Sequence, residues 1–423
     1  MSPVPVVVRR ATEADLREVG DLTARAYVTD GLVDPDHWYT AELRDAAARG
    51  RAATVLVAVP PDDGGRVLGT ITIAPAGSPY AEVARADEVE LRMLAVDPAS
   101  RRQGVAEQLV HAALREAVGV GAHGVVLSTL DSMRSAHRLY DRLGFVARPE
   151  RDWSDEITMR VLTWHPPEAP GPLVEAATWP PPRSVDVDGW RVGLSGGVTR
   201  RAGSTLALAP VADVPRAVDE VERLYREDEA PAVFRVGDPQ TAPGLVDELD
   251  ARGYTTAAVT DVLVRGLDGA PPVGSAAARD VAAPDVSVRV ADAPDDAWLS
   301  VWLAGKGGAR APSRAVVTGA PALYLAATAA DGTDVAVLRA APVDDWVALS
   351  CLQVVPAARR SGLGRALTLQ ALALAGQRGA RRAFLQVEAG NGAALRLYTA
   401  LGFRPAHRYA YRVQPVPQAD TGC

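Results

Sequence analysis

Two stretches of this chain repeat each other so closely that a fold proposed for one must serve the other. Residues 125–145 read Val-Val-Leu-Ser-Thr-Leu-Asp-Ser-Met-Arg-Ser-Ala-His-Arg-Leu-Tyr-Asp-Arg-Leu-Gly-Phe, and residues 383–403 read Ala-Phe-Leu-Gln-Val-Glu-Ala-Gly-Asn-Gly-Ala-Ala-Leu-Arg-Leu-Tyr-Thr-Ala-Leu-Gly-Phe. Each predicts a short apolar strand, a polar turn and a helix closed by Leu-Gly-Phe. Gly144 and Gly402 fall where a helix end wants a left-handed residue. A second shared element lies upstream, in Leu91–Ala106 and Leu349–Gly364. Both copies read as an apolar strand, a Pro-containing turn and a Gly loop, and each opens an apolar helix, predicted over 104–118 and 362–378. Two elements recurring in the same order are poorly explained by chance.

The chain is too long for one ordinary core at 423 residues. Two Pro-rich stretches without helical or alternating periodicity, Trp164–Arg183 and Gly266–Pro284, read as linkers. They leave segments 4–163, 184–265 and 285–415. The middle segment predicts a strand-rich start, a helix over 213–228, a strand Ala232–Val236, a helix over 244–252 and a strand Thr256–Arg265. That order is a fainter copy of the repeat, without a Gly loop before its first helix.

Composition narrows the partners. Hydrophobic residues at 48% and charged residues at 23% belong to a folded, soluble chain. The net charge is -7, the arginines are scattered and Lys306 is the only lysine, so nucleic acid is not an expected partner. Cys351 and Cys423 sit in no Cys/His cluster, so neither a disulfide framework nor a metal site is expected. No apolar run approaches the ~20 residues of a membrane span and the N-terminus lacks a signal pattern. The expectation is a cytoplasmic protein with no membrane partner. Gly305-Lys306 does not complete a P-loop, because Ser300 replaces its first glycine and Gly307 follows the lysine.

The loops Arg101-Arg102-Gln103-Gly104-Val105-Ala106 and Arg359-Arg360-Ser361-Gly362-Leu363-Gly364 share the form R-x-x-G-x-[GA] at a strand-to-helix junction. Small residues let the backbone approach a ligand, successive amides form an anion nest, and the helix adds its positive end. A pyrophosphate is the natural guest.

This loop after an apolar strand, followed by a strand and a helix ending in L-Y-x-x-L-G-F, resembles the GNAT acetyltransferase superfamily over the cofactor-binding half of both outer segments. The resemblance implies an α/β (α+β) fold: two GNAT modules with mixed, splayed central sheets, and a degenerate GNAT-like half, 184–265, packed on the C-terminal module. It implies acetyl-CoA as co-substrate, its pyrophosphate on the two Gly loops and its pantetheine and acetyl carbonyl against Leu94, Ala95 and Val96 in one module and Leu352, Gln353 and Val354 in the other. Tyr140 and Tyr398 match the family tyrosine near the sulfur, a general acid for the leaving thiolate; a tyrosine on an amphipathic helix can also be core.

Glu90 stands where several family members carry a glutamate base, with Glu88 as the second candidate and a solvated strand-edge carboxylate as the alternative. Its counterpart in the last module is Ala348, where Asp344, Asp345 and Glu388 are nearby carboxylates. Asn391 matches a family asparagine at the pantetheine, where the first module has Met133. Residues 184–415 also resemble an actinobacterial GNAT family linked to N-acetylglutamate synthesis. Arg200 and Arg201 could clamp an acceptor carboxylate there, or simply be solvated in a polar turn. The expected activity is transfer of acetyl from acetyl-CoA to a primary amine of a small molecule or amino acid, in one or both modules. A regulatory acetyl-CoA-binding module is the alternative. The acceptor sites fall on variable segments such as Tyr27–Ala48, with Asp30, Asp34, Asp36, His37, Trp38 and Tyr39. A homodimer is left open.

Overall fold

Strand pairing in the computed structural model follows the apolar runs of the sequence and yields two sheets, one in each of the units Met1–Pro167 and Glu168–Cys423. The structure describes residues 6–61, 65–154, 157–267 and 286–415. Nearly all of the expected second linker, and Cys423, lie outside them.

The first unit runs β1 (Val7–Arg10), α1 (Leu16–Thr29), α2 (Trp38–Arg44), α3 (Ala46–Ala52), β2 (Thr54–Val59), β3 (Gly69–Pro75), β4 (Glu88–Val96), α4 (Val105–Gly119), β5 (Gly124–Leu130), α5 (Arg134–Leu143), β6 (Val146–Ala147), β7 (Trp153–Ser154) and β8 (Thr158–Trp164). Its sheet has the order β1-β2-β3-β4-β5-β8-β6, with β7 paired to β8. α4 and α5 bury Leu109, Val110, Ala113 and Leu139 on one face, and α1 and α3 bury Val19, Leu22 and Ala46 against Val55 and Val57 on the other. Truncating a buried leucine such as Leu109 to alanine would cost about 2–5 kcal/mol.

β4 and β5 are parallel, yet they pair only at Glu88↔Gly124, Val89↔Val125 and Glu90↔Val126. Beyond Glu90 both strands continue without pairing to each other. The divergence coincides with a bulge: β3 residues Thr70 and Thr72 face Ala95 and Arg92, so β4 carries one extra residue, and Met93 adopts φ 52. An extra residue bends the strand that carries it.

The second unit comprises α6 (Pro172–Ala177), β9 (Arg183–Val187), β10 (Trp190–Leu194), β11 (Thr205–Ala207), α7 (Val214–Glu227), β12 (Val233–Val236), α8 (Leu245–Ala251), β13 (Thr255–Gly266), β14 (Val286–Ala291), α9 (Asp296–Lys306), α10 (Arg310–Val317), β15 (Leu323–Ala329), β16 (Asp334–Val343), β17 (Trp346–Val354), α11 (Leu363–Gln377), β18 (Arg382–Glu388), α12 (Gly392–Ala400) and β19 (Arg404–Val413). One eleven-stranded sheet, β14-β15-β16-β17-β18-β13-β19-β12-β11-β10-β9, takes strands from both the middle and the last segment, and β13 lies between β18 and β19. β17 and β18 repeat the first unit's divergence. Their parallel pairing ends at Leu349↔Leu385, β17 bulges opposite Val337 and Arg339, and Cys351 adopts φ 58. α11 and α12 cover one face of this region, whereas α9 and α10 cover the other.

The stretch Trp164–Arg183 is not a plain linker. Trp164 ends β8 with 1% exposure, Pro172 occupies the first turn of α6, and Glu175 and Trp179 are buried. Proline's fixed φ suits a helix start, so a Pro-rich stretch can nucleate structure as well as break it.

Candidate active sites

Each Gly loop adopts the alternating left-handed backbone that a nest requires. Arg102 and Gly104 have φ 61 and 80, and Arg360 and Gly362 have φ 65 and 87. Gly104 and Gly362 are the N-caps of the fifteen-residue helices α4 and α11, and at neither does a side chain cap the first amides. Uncapped amides at the positive end of a long helix are the donor set that a pyrophosphate needs. The arginine heading each motif turns back to the strand. Arg101 Nε reaches Val96 O at 3.5 Å, and Arg359 Nε reaches Val354 O at 3.2 Å. Gln103 and Ser361 close the same turn by donating to Ala99 O and Ala358 O. Val105 and Leu363 are core, and Ala106 packs against the core beside the first of them. Leu94 and Val96, like Leu352 and Val354, pack on the α4 and α11 sides of their sheets. Ala95 is buried among the α1 and α3 residues, and Gln353 touches α9.

Tyr140 and Tyr398 are each 7% exposed and pack on the phenylalanine after the helix, Phe145 and Phe403, at centroid distances of 5.3 and 5.6 Å. Burial pushes both phenols above the usual tyrosine range. Among the described residues neither hydroxyl makes a hydrogen bond.

In the first unit Glu90 is fully buried. Its Oε2 accepts the amides of Glu82, Val83 and Ala84 at 2.8, 2.8 and 3.2 Å, and its Oε1 lies 3.5 Å from Arg92 Nη1 without a hydrogen bond. Burial raises its pKa, outweighing the pull of the Val83 amide and of Arg92. Arg92 also holds Glu82 at 2.7 Å and the Tyr39 hydroxyl at 3.2 Å. Tyr27 feels Tyr39 and Arg92 electrostatically, and Tyr27 and Tyr39 pack with Met93 on the α1 side of the open strands, whereas Tyr140 acts on Tyr27 from the α5 side. Glu88 instead pairs with Arg151 at 2.7 Å, which holds its carboxyl below the ordinary range. Asp30 is taken by Arg101 at 2.6 Å, and Trp38 is 71% exposed. Arg92 lies outside the sequence expectations. Its signal was the alternation of Glu88, Glu90 and Arg92 in an otherwise apolar strand.

In the second unit Ala348 lies opposite Phe384, the register that Glu90 and Val126 occupy in the first. Asp345 is bound to Arg382 at the closed end of the strand pair, and Asp344 sits in the adjoining turn at φ 50. Glu388, at the open end, pairs with Arg200 at 3.0 Å. Arg201 lies over Trp179 at 5.3 Å and acts electrostatically on Tyr398 and Cys351. Asn391 caps α12 by accepting the Ala394 amide at 3.1 Å, a role Met133 does not take at α5. A cluster outside the sequence expectations surrounds Glu175. Its carboxylate accepts from Arg235 at 2.5 Å, bonds His407 Nε2 at 2.7 Å and accepts from Gln386, while Arg235 stacks 3.8 Å over the Tyr409 ring.

Splayed parallel strands, a bulge at their parting, a glycine nest and a buried tyrosine are present twice, the arrangement of a GNAT fold. Residues 173–412, more than half the chain, match the family described as "Probable histone acetyltransferase Rv0428c C-terminal", and the chain belongs to that family. Residues 18–145 match the "Acetyltransferase (GNAT) family". A mycothiol acetyltransferase of Amycolatopsis mediterranei (strain U-32) is 56% identical over 50 residues, which are 12% of this chain and 17% of that relative. A GCN5-related N-acetyltransferase from Kribbella flavida superposes at a TM-score of 0.41 with 18% identity, over 56% of this chain and 91% of its own. A tandem GNAT protein from the clavulanic acid biosynthesis pathway does so at 0.34 with 14% identity, over 97% and 98%. Among the described residues no helix is long and apolar enough to cross a membrane.

Proposed function

We propose that the protein transfers the acetyl group of acetyl-CoA to a primary amine by direct attack, with Tyr140 and Tyr398 as the acids that protonate the leaving thiolate. Segments 184–265 and 285–415 then act as one assembly, the former a degenerate GNAT-like half. The observation that carries this reading is the placement of each tyrosine, buried and with a raised pKa, on the helix beside the open end of a splayed strand pair. Bound acetyl-CoA supplies the activated acyl group. The nests at Gly104 and Gly362 hold its pyrophosphate, and the strand segments Leu94–Val96 and Leu352–Val354, with Asn391, hold its pantetheine arm. In the first module Glu90 takes the proton from the incoming ammonium, and Arg92, Tyr39 and Tyr27 shape the acceptor pocket. A base with a raised pKa is better matched to neutral pH than an ordinary glutamate.

A second reading applies to the last module, because Ala348 leaves it without the carboxylate of Glu90. There the module binds acetyl-CoA as a regulator, or uses Arg200 and Arg201 to hold an acidic acceptor as an N-acetylglutamate synthase-like site would. The test is release of the CoA thiol by the full chain with a panel of amines: glutamate and other amino acids, a cationic diamine, a cysteinyl amine and a lysine-containing histone peptide. Acceleration by at least one amine supports transfer. Failure by all of them, with acetyl-CoA bound, sinks it in favour of a binding role.

A further inference from the structure

Lys306 is one lysine among 45 basic residues. A guanidinium can carry a charge almost anywhere on a surface, but it neither loses its proton nor accepts an acyl group near neutral pH. A primary amine is needed only where one of those events occurs, which directs attention to its surroundings. It is the last residue of α9, whose Trp298, Leu299 and Trp302 are buried against the sheet. Its Nζ lies 5.2 Å from the Trp302 ring. The preceding residue touches β17, since a Cβ on Gly305 would stand 2.4 Å from the Gln353 amide. Gln353 is two residues beyond Cys351, where β17 bulges against β16 just past the end of its pairing with β18. Lys306 and Cys351 act on each other electrostatically, as do Cys351 and Tyr398. The amine on the α9 face and the phenol on the α12 face therefore flank the bulge at the open end of the strand pair. Burial also lowers the lysine's pKa, which increases the fraction of neutral nucleophile.

We propose that Lys306 is itself an acetyl acceptor, acetylated by the C-terminal module of its own chain. The inference rests on the reading that Gly362 and β17 hold acetyl-CoA. Lys306 Nζ gives one proton to water and attacks the thioester carbonyl. The N–C bond forms and the C–S bond breaks. A second proton from nitrogen and the proton relayed by Tyr398 balance, so that CoA leaves as the thiol and Lys306 becomes a neutral acetamide. Acetylation removes the only lysine charge at the rim of this site.

The full chain is incubated with acetyl-CoA and followed by intact mass and peptide mapping, with acetyl-CoA binding measured in parallel. One acetyl group at Lys306, absent from Lys306→Arg and formed at least about tenfold more slowly by Tyr398→Phe, supports the proposal. Binding of acetyl-CoA without acetylation at Lys306 overturns it and leaves the cofactor site standing. Absence of any binding that Gly362→Val removes overturns the cofactor reading and the proposal together. Equal acetylation in the urea-unfolded chain overturns the proposal as adventitious chemistry. Acetylation of the N-terminal amine is separated by the mapping.

Discussion

Arg235 and Gln386, on the two strands that flank β13 and β19, donate to one carboxylate oxygen, Oε2 of Glu175. The acid comes from α6, so a helix entering the second unit ties the middle segment's β12 to the last segment's β18. Burial alone would raise the Glu175 pKa, but Arg235, His407 and Gln386 outweigh it and hold the carboxyl below the ordinary range.

Replacing Glu175 by glutamine keeps the shape and leaves Arg235 as an uncompensated buried cation, a change that costs about 3–5 kcal/mol. The native pKa lies below the unfolded value, so the contribution is fully present above the ordinary glutamate pKa of about 4.3 and is lost as pH falls through the depressed native value. Urea unfolding monitored by tryptophan fluorescence should therefore show a wild-type advantage over Glu175→Gln that shrinks in acid. An advantage unchanged from neutral pH to about pH 3 would argue against an ionised Glu175.

Glu90→Gln separates a base from a loop anchor. Glutamine can still accept the three amides of residues 82–84 through its oxygen, so the fold should persist. As the proton acceptor of the first module, Glu90 should supply about 10²-fold or more of the rate. Because burial raises its pKa, the wild-type rate should climb with pH through a midpoint above that of an ordinary carboxylate, and the variant should lack that limb. A variant with full activity and an unchanged pH profile would return Glu90 to a structural role.

Tyr140→Phe and Tyr398→Phe should each lower kcat by about 10²-fold while leaving the acetyl-CoA Kd alone, since each hydroxyl is needed for the leaving group. Burial keeps both phenols protonated past the ordinary tyrosine pKa of about 10, so no alkaline loss of rate should arise from them below that pH. If cofactor affinity falls instead of kcat, the tyrosines pack the site rather than protonate the thiolate.

What could be read from the chain was what the chain states locally. Apolar strands, Gly104, Gly362, Gly144 and Gly402 each announce a backbone conformation, and helices expected over 104–118 and 213–228 appear as Val105–Gly119 and Val214–Glu227. The Glu175 cluster was invisible for the opposite reason. Its partners Arg235, Gln386 and His407 lie 60, 211 and 232 residues away, and no spacing rule connects a glutamate in a Pro-rich stretch to any of them. The resemblance implied that the middle segment packs on the last, but the same limit hid the form of the join, because placing β13 between β18 and β19 is a tertiary choice. Arg101 shows a different limit: its motif suggests a phosphate ligand, but no spacing rule announces that its side chain reaches the strand end and Asp30.

The two nests give the sharpest count of working cofactor sites. Gly104 and Gly362 sit at φ 80 and 87, where a β-branched residue is strained by more than the roughly 1–2 kcal/mol that any L side chain meets in the left-handed region. Relief of that strain requires the loop to abandon the conformation that gathers its amides. Calorimetric titration of acetyl-CoA into the full chain should find two sites, and Gly104→Val and Gly362→Val should each remove one. The surviving site should keep its affinity in each case, and the double variant should bind none. If Gly104→Val alone abolished all binding, only the first module would hold cofactor. The second unit's Cys351 and Tyr398 would then line a cleft with no acyl donor, and Ala348 would mark a module that had lost both its base and its co-substrate.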